Sequence, residues 1–230
     1  MNVPFIDIHT HRSLPGEDAL CSCGIHPWWL DEKGYDWEND LQKLEVLLKT
    51  NRLAAIGEAG IDRIHRPTLP LQMAVLEQQI LLSEKHQKPL ILHNVRGDDL
   101  LMMLHKRCRP RQPWILHGFN GSVEEVKRWA EKGCYFSVGE ALLFKNRKIT
   151  ESIKSIPLDH LFFETDTSTC EIAQVYSKAS EILEVPILSL KEKIFTTFAE
   201  LKLNPWKTGE NVQDSSSATK ALIDLGKAMY

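Results

Sequence analysis

The chain has no long apolar run. Nothing in its 230 residues approaches the ~18 consecutive apolar positions that a membrane-spanning helix requires. It also has no Lys/Arg cluster. There are 28 basic and 31 acidic side chains, a formal net charge of −3 and a pI near 6.3. A broad basic groove for long duplex nucleic acid is therefore not expected, although a metal centre can supply positive charge locally. Cysteine is sparse and unpatterned. Cys21, Cys23, Cys108, Cys134 and Cys170 form an odd, scattered set, which argues against a disulfide framework and predicts free thiols in a reducing cytoplasm. Cys21-x-Cys23 has no second pair to complete a metal site and reads as buried strand thiols. Met1-Asn2-Val3-Pro4 lacks the basic-then-apolar layout of a secretion leader, so a cytoplasmic protein is expected.

What is present is an ordinary globular composition, 43% hydrophobic and 26% charged. The length suits one large core, and α/β barrels commonly use it as a single domain. Strand-like segments fall at 5–11, 19–26, 53–58, 89–93, 113–117, 134–139 and 161–166. Helical spacing separates them, at 38–50 with Asn51 as its stop, 70–87, 98–108, 147–155, 171–184 and 189–203. The 70–87 helix shows an apolar stripe of Met73, Leu76, Ile80 and Leu81, and Asp98 or Asp99 is placed to cap the next one. Ser122 and Glu125 form a capping box for a helix that Gly133 ends. Strands alternating with helices predict a parallel β/α architecture. The expectation is a TIM-like β/α barrel with about seven main strands, incomplete or distorted, because residues 12–23 are too few for another helix and strand. Residues 1–203 would form the barrel. Residues 204–230 would be an extension, polar at 206–217 and able to form an amphipathic helix at 218–230.

The segment Asp7-Ile8-His9-Thr10-His11 organises the chemistry. A strand places alternate residues on one face, so His9 and His11 form a bidentate nitrogen clamp for a metal. By itself the pattern also fits a polar strand end with two solvated histidines. Its partners recur elsewhere at strand ends: His26, Glu58, His93, His117 and Asp166. The segments 89–93 and 113–117 share one plan, a proline, three apolar residues and a histidine. In a β/α barrel the C-terminal strand ends converge on the active face. Four imidazoles (9, 11, 93, 117) and two carboxylates (58, 166) suffice for two divalent ions, with His93 and His117 on one, His9 and His11 on the other, Glu58 bridging and Asp166 facing the bound water. Mixed nitrogen and oxygen donors suit Zn²⁺ or Mn²⁺, and Mg²⁺ less well. Trp28-Trp29 is either a cleft wall or a cover on the barrel rim, and His65 is either a support to the site or a solvated loop residue.

As an ordered set these pieces resemble the TatD family of metal-dependent hydrolases: Asp7-Ile8-His9-Thr10-His11, Gly24-Ile25-His26-Pro27, Ile56-Gly57-Glu58-Ala59-Gly60-Ile61-Asp62, Pro89-Leu90-Ile91-Leu92-His93 with Arg96, His117-Gly118-Phe119-Asn120-Gly121 and Glu164-Thr165-Asp166. The resemblance covers residues 5–203. It implies an amidohydrolase-type barrel, two divalent metals and phosphodiester hydrolysis of the 3′–5′ deoxyribonuclease kind, on DNA ends or short oligonucleotides. By the same carry-over the metal ligands are His9, His11, Glu58, His93, His117 and Asp166. Asp166 would also accept the proton of the attacking water, and His26, Asp62 and Arg96 would contact substrate. The chain departs from the family after Asp166, where Thr167-Ser168-Thr169-Cys170 replaces a basic, Asn-containing stretch, and at Thr197-Phe198, where the family has Asn before an aromatic. An amidohydrolase or lactonase acting on a small carbonyl substrate, and a barrel that binds metal without turnover, are the competing readings.

Overall fold

The computed structural model of the chain describes residues 3–11, 22–50 and 53–203. The expected turn at 13–18, Cys21 with the start of the second strand, Asn51, and the 204–230 extension with its helix lie outside the described residues. The described chain falls into two compact units, one of residues 22–50 and 53–113 and one of residues 3–11 and 114–203. No helix among the described residues is long and apolar enough to cross a membrane.

The first unit runs β1 (Ser22–Cys23), α1 (Trp37–Lys49), β2 (Ala55–Asp62), α2 (Leu69–His86), β3 (Leu90–Val95) and α3 (Asp98–Cys108). Strand β2 lies between β1 and β3, parallel to both. All eight of its residues are buried, as expected of a parallel strand covered on both faces. Between Ile56, which pairs with Leu90, and Ala59, which pairs with Leu92, β2 carries one extra residue. This bulge falls at Gly57-Glu58, where a change of strand direction can re-aim a side chain. Gly60 explains itself by space: a Cβ there would sit 1.9 Å from the His93 carbonyl oxygen. At Gly57 a Cβ would likewise sit 2.6 Å from the Ile91 carbonyl oxygen, so β2 runs close against β3 at both glycines.

Helix α2 packs differently from its expected stripe. Leu81 is 55% exposed, while Gln72 and Gln79 are buried beside Val75, Leu76 and Ile80. The reason is backbone supply. Gln79 accepts from the Ile25 amide at 2.7 Å and donates to its carbonyl at 3.2 Å. Gln72 accepts from the Asp62 amide and donates to the Asp62 and His65 carbonyls. Two irregular segments thus find their hydrogen-bond partners on a helix face that would otherwise be apolar. The expected aspartate cap of α3 is also corrected. Gly97 occupies the cap position with no side-chain cap, and Asp98 instead accepts from Asn94, whose own oxygen takes the Gly97 amide.

The second unit runs β4 (Trp114–Leu116), α4 (Val123–Ala130), β5 (Tyr135–Val138), α5 (Arg147–Ile153), β6 (Leu161–Phe163), α6 (Ile172–Leu183) and α7 (Ile187–Glu200). Strand β5 pairs in parallel with β4 and β6. Trp114, Trp129, Phe136, Phe162, Phe163 and Tyr176 fill its core. The Ser122–Glu125 capping box is formed at both of its bonds, and Gly133 follows α4 in a left-handed turn at φ 74°.

The expected first strand at 5–11 is a correction. It touches β6's continuation through a single bridge, Thr10 to Asp166. The backbone bonds Ile8 N–H to Phe163 O, Asp166 N–H to His9 O and His11 N–H to Asp166 O are present. The ladder is interrupted because Asp7 takes both the amide and the hydroxyl of Thr165, and Asp166 turns left-handed at φ 50°. The Tyr176 hydroxyl fixes the segment's other end on the Ile6 carbonyl. The described residues therefore hold six strands and one bridged segment, against about seven strands expected.

Gln79→Leu should destabilise the protein by about 2–5 kcal/mol, since it leaves the buried Ile25 amide and carbonyl without partners. Ser122→Ala should cost only about 1 kcal/mol, the worth of a helix cap. Urea unfolding followed by circular dichroism measures both.

Candidate metal centre

In the first unit, β2 and β3 deliver Glu58, Asp62 and His93, and the turn before a short 3-10 helix at Pro27–Asp31 delivers His26. One oxygen of Glu58, Oε1, faces both His26 Nε2 at 3.1 Å and His93 Nδ1 at 2.5 Å. The other nitrogen of His93 meets Asp62 Oδ2 at 3.1 Å. Donor atoms of His26, Glu58 and His93 all lie within 4.8 Å of one another. The Glu58 carboxylate and the His93 imidazole are donors of the kind that a divalent ion such as zinc or manganese takes. The second carboxylate on His93 supplies the outer hydrogen bond that orients a ligating imidazole.

His26 is tied differently. The Trp28 backbone amide donates to His26 Nδ1 at 3.2 Å. In a neutral imidazole that leaves the proton on Nε2, the atom facing Glu58. A protonated nitrogen is a donor and not a ligand, so this tautomer makes His26 a hydrogen-bond donor to Glu58. Asp62 is 1% exposed. Burial pushes its pKa up, but hydrogen bonds from the Trp28 indole, the Ile64 amide and His93 outweigh it and hold the carboxyl below its ordinary value. Arg96 stands exposed just past β3, in a left-handed conformation at φ 55°. His65 is engaged by Asp31 and lies beside the Trp28 ring, 5.7 Å between centroids.

In the second unit, His9, His11, His117 and Asp166 come together. Asp166 Oδ1 lies 3.7 Å from His9 Nε2 and 3.4 Å from His11 Nε2. The His9 ring is 4.6 Å from that of His117 and 4.9 Å from that of His11. The backbone bonds between Asp166 and residues 9 and 11 hold this carboxylate over the two histidines. These donors also suit a divalent ion. An open cavity of about 180 Å³ adjoins Asp166, walled in part by Gly118, Asn120, Glu140 and Ser168.

Three participants escape a reading of the sequence alone. Glu164 is 1% exposed, accepts the Gly118 amide at 2.6 Å and lies 3.6 Å from His117 Nδ1. Burial raises its pKa, but the bond and charge of His117 and the charge of His9 prevail and leave it lowered. Asp7 shares the face of His9 in sequence but binds Thr165, and burial raises its pKa against those bonds. Gln72 carries the backbone at Asp62. Glu164 and Asp7 are signalled only by an acid close to a ligand-like residue, and Gln72 by nothing beyond a polar position on an apolar helix face.

A family model described as "TatD related DNase" matches residues 8–201. A protein of Schizosaccharomyces pombe named deoxyribonuclease Tat-D is 31% identical over 143 residues, 59% of this chain and 46% of its own length. The uncharacterized metal-dependent hydrolase YjjV of Escherichia coli K12 is 30% identical over 154 residues, 65% of this chain and 58% of its own. The chain thus spans about half the length of the curated relatives it matches. The crystal structure of YjjV, a TatD homologue, superposes with a TM-score of 0.70 at 25% identity, covering 79% of this chain and 76% of that one. A TatD-family hydrolase structure from Entamoeba histolytica shares the fold, with a TM-score of 0.66 at 20% identity. The α/β, TIM-like barrel class expected from the sequence is therefore the fold, and a match running nearly the length of the described chain shows that this protein belongs to the TatD family of related DNases.

Proposed function

We propose that the chain is a metal-dependent hydrolase of phosphodiester bonds, of the 3′–5′ deoxyribonuclease kind, acting on DNA ends or short oligonucleotides. The observation that carries this reading is the single Glu58 oxygen facing ring nitrogens of His26 and His93 in a member of this family. The fission-yeast relative's name, deoxyribonuclease, supports the choice of bond. In this reading Glu58 and His93 in the first unit, and His9, His11, His117 and Asp166 in the second, would hold divalent ions. When bound, such ions stabilise phosphoryl charge and acidify a water.

The chain's own side chains do the rest. Asp166 is partly exposed beside His11 and takes the proton of the attacking water as general base. Asp62 keeps His93 in one orientation. His26 carries its proton on Nε2 and donates it as a hydrogen bond. The exposed Arg96 offers a fork of donors to a phosphate oxygen. With net charge −3, the chain favours short substrates over long duplexes. Residues 1–203 act as one barrel domain in this reading.

Metal analysis separates ligand from donor. Glu58→Ala and His93→Ala, loaded with Zn²⁺ or Mn²⁺ and freed of excess by gel filtration, should retain less metal than the wild type and lose activity with the fold intact by circular dichroism. His26→Ala should retain the wild-type metal content and lose activity. Metal retained in full by Glu58→Ala would remove it from the ligand set.

The bond cleaved is tested with the reconstituted protein on end-labelled single-stranded DNA, a generic phosphodiester, and a panel of amides and lactones. The expected result is cleavage of the DNA and the diester, reduced at least about 100-fold in Asp166→Asn, the scale of a lost general base. Turnover of the carbonyl panel alone would move the assignment to an amidohydrolase or lactonase. No turnover anywhere would leave a metal-binding barrel without catalysis.

A further inference from the structure

The dipeptide Trp28-Trp29 splits its two rings. Trp29 packs into the small core around Ile25, Leu30 and Val75. Trp28 is 50% exposed, a large apolar area to leave in water. Yet it is held firmly. Its indole N–H donates to the buried Asp62 carboxylate at 2.6 Å, and its backbone amide to His26 Nδ1 at 3.2 Å. Its ring stands edge-on to His26 and His93, with centroids 4.9 and 6.0 Å away. Asp62, which anchors the indole, also binds His93, and His93 meets Glu58. An exposed side chain usually trades order for entropy, whereas this one is fixed by its indole bond and packed against two imidazole rings with part of its surface open, directly beside the candidate metal group.

We infer that Trp28 is a stacking platform for a nucleobase of a single-stranded substrate, next to the phosphate being cleaved. The inference rests on the phosphodiesterase reading and names what that site recognises besides phosphate. Every base offers a flat π face, so an aromatic platform binds without sequence preference, and each stacked base contributes substantially to affinity. An aromatic platform also suits a chain of net charge −3, since stacking does not depend on net charge. The indole bond to Asp62 sets the ring's orientation relative to His93, so base and phosphate are positioned from the same carboxylate. A base-paired end would have to unstack before it could use the platform, so single-stranded ends are preferred.

The test uses two oligonucleotides that differ only in whether the nucleotide at the cleaved end carries a base or is abasic. Each has a phosphorothioate at the scissile position and is titrated by fluorescence anisotropy into the metal-loaded protein. Wild type should bind the base-bearing strand roughly 5- to 100-fold more tightly, the range of one stacked base. Trp28→Leu should lose that preference, and Trp28→Phe should keep most of it, because a phenyl ring still stacks without the indole bond. Circular dichroism and metal content establish that the variants fold. If a variant does not fold, wild type alone decides through the ratio of the two affinities. Equal affinities in wild type, or a preference unchanged in folded Trp28→Leu, overturns the platform while cleavage of DNA leaves the phosphodiesterase reading standing. Absence of both binding and cleavage defeats both.

Discussion

In the first unit the site depends on one buried carboxylate, Asp62. Its oxygens accept from the Trp28 indole, the Ile64 amide and a His93 nitrogen. These three partners come from a turn, a loop and a neighbouring strand, and no repeating backbone pattern would hold them together. A buried anion with several donors fixes all of them, because losing any one donor leaves charge unsatisfied in a low-dielectric setting. The carboxylate is held in turn from behind, through the Gln72 side chain on the Asp62 amide and carbonyl. The orientation of His93 toward Glu58 thus rests on a glutamine of a packed helix. That is how a site on strand ends and loops acquires the rigidity that metal ligation requires.

The same logic shows which parts of the molecule can be read from the chain. His9, His11, His26, Glu58, His93, His117 and Asp166 stood out as candidates because each lies in or directly after an apolar run, and parallel strands carry their chemistry toward the C-terminal end. A glycine inside a strand signals a close approach, and at Gly60 the neighbour is the His93 carbonyl. The helix boundaries followed from spacing to within a few residues.

What could not be read lies in pairings that cross long stretches of sequence. Gln79 looks like a break in an apolar stripe until Ile25, 54 residues away, supplies the backbone groups it serves. The segment 5–11 looks like a full strand because its residue types favour one. Its ladder is cut by the Asp7–Thr165 bonds, which depend on a residue 158 positions later. Glu164 reads as a strand terminus and emerges as a buried carboxylate 3.6 Å from His117 Nδ1. In each case a polar side chain satisfies a backbone group or an imidazole that local propensity does not reveal, and tertiary context overrides the local pattern.

The balance of charge decides how such a site can meet a polyanion. Glu58, Asp62 and Glu164 are all buried and stand opposite imidazoles. The excess acid elsewhere leaves the chain net negative. Burying acids is costly, and for Asp62 and Glu164 the cost is offset by hydrogen bonds that lower their pKa. Asp62 and Glu164 therefore remain anionic near neutral pH, and a phosphate approaching them alone would be repelled. Cations drawn to the same donors reverse that sign locally without any change in net surface charge. Under the proposed function, affinity for substrate would then be conditional on the metal. A basic groove would bind nucleic acid whether or not the site could cleave it. A site built from acids and imidazoles, with an aromatic face beside it, would tie recognition to the loaded and competent state.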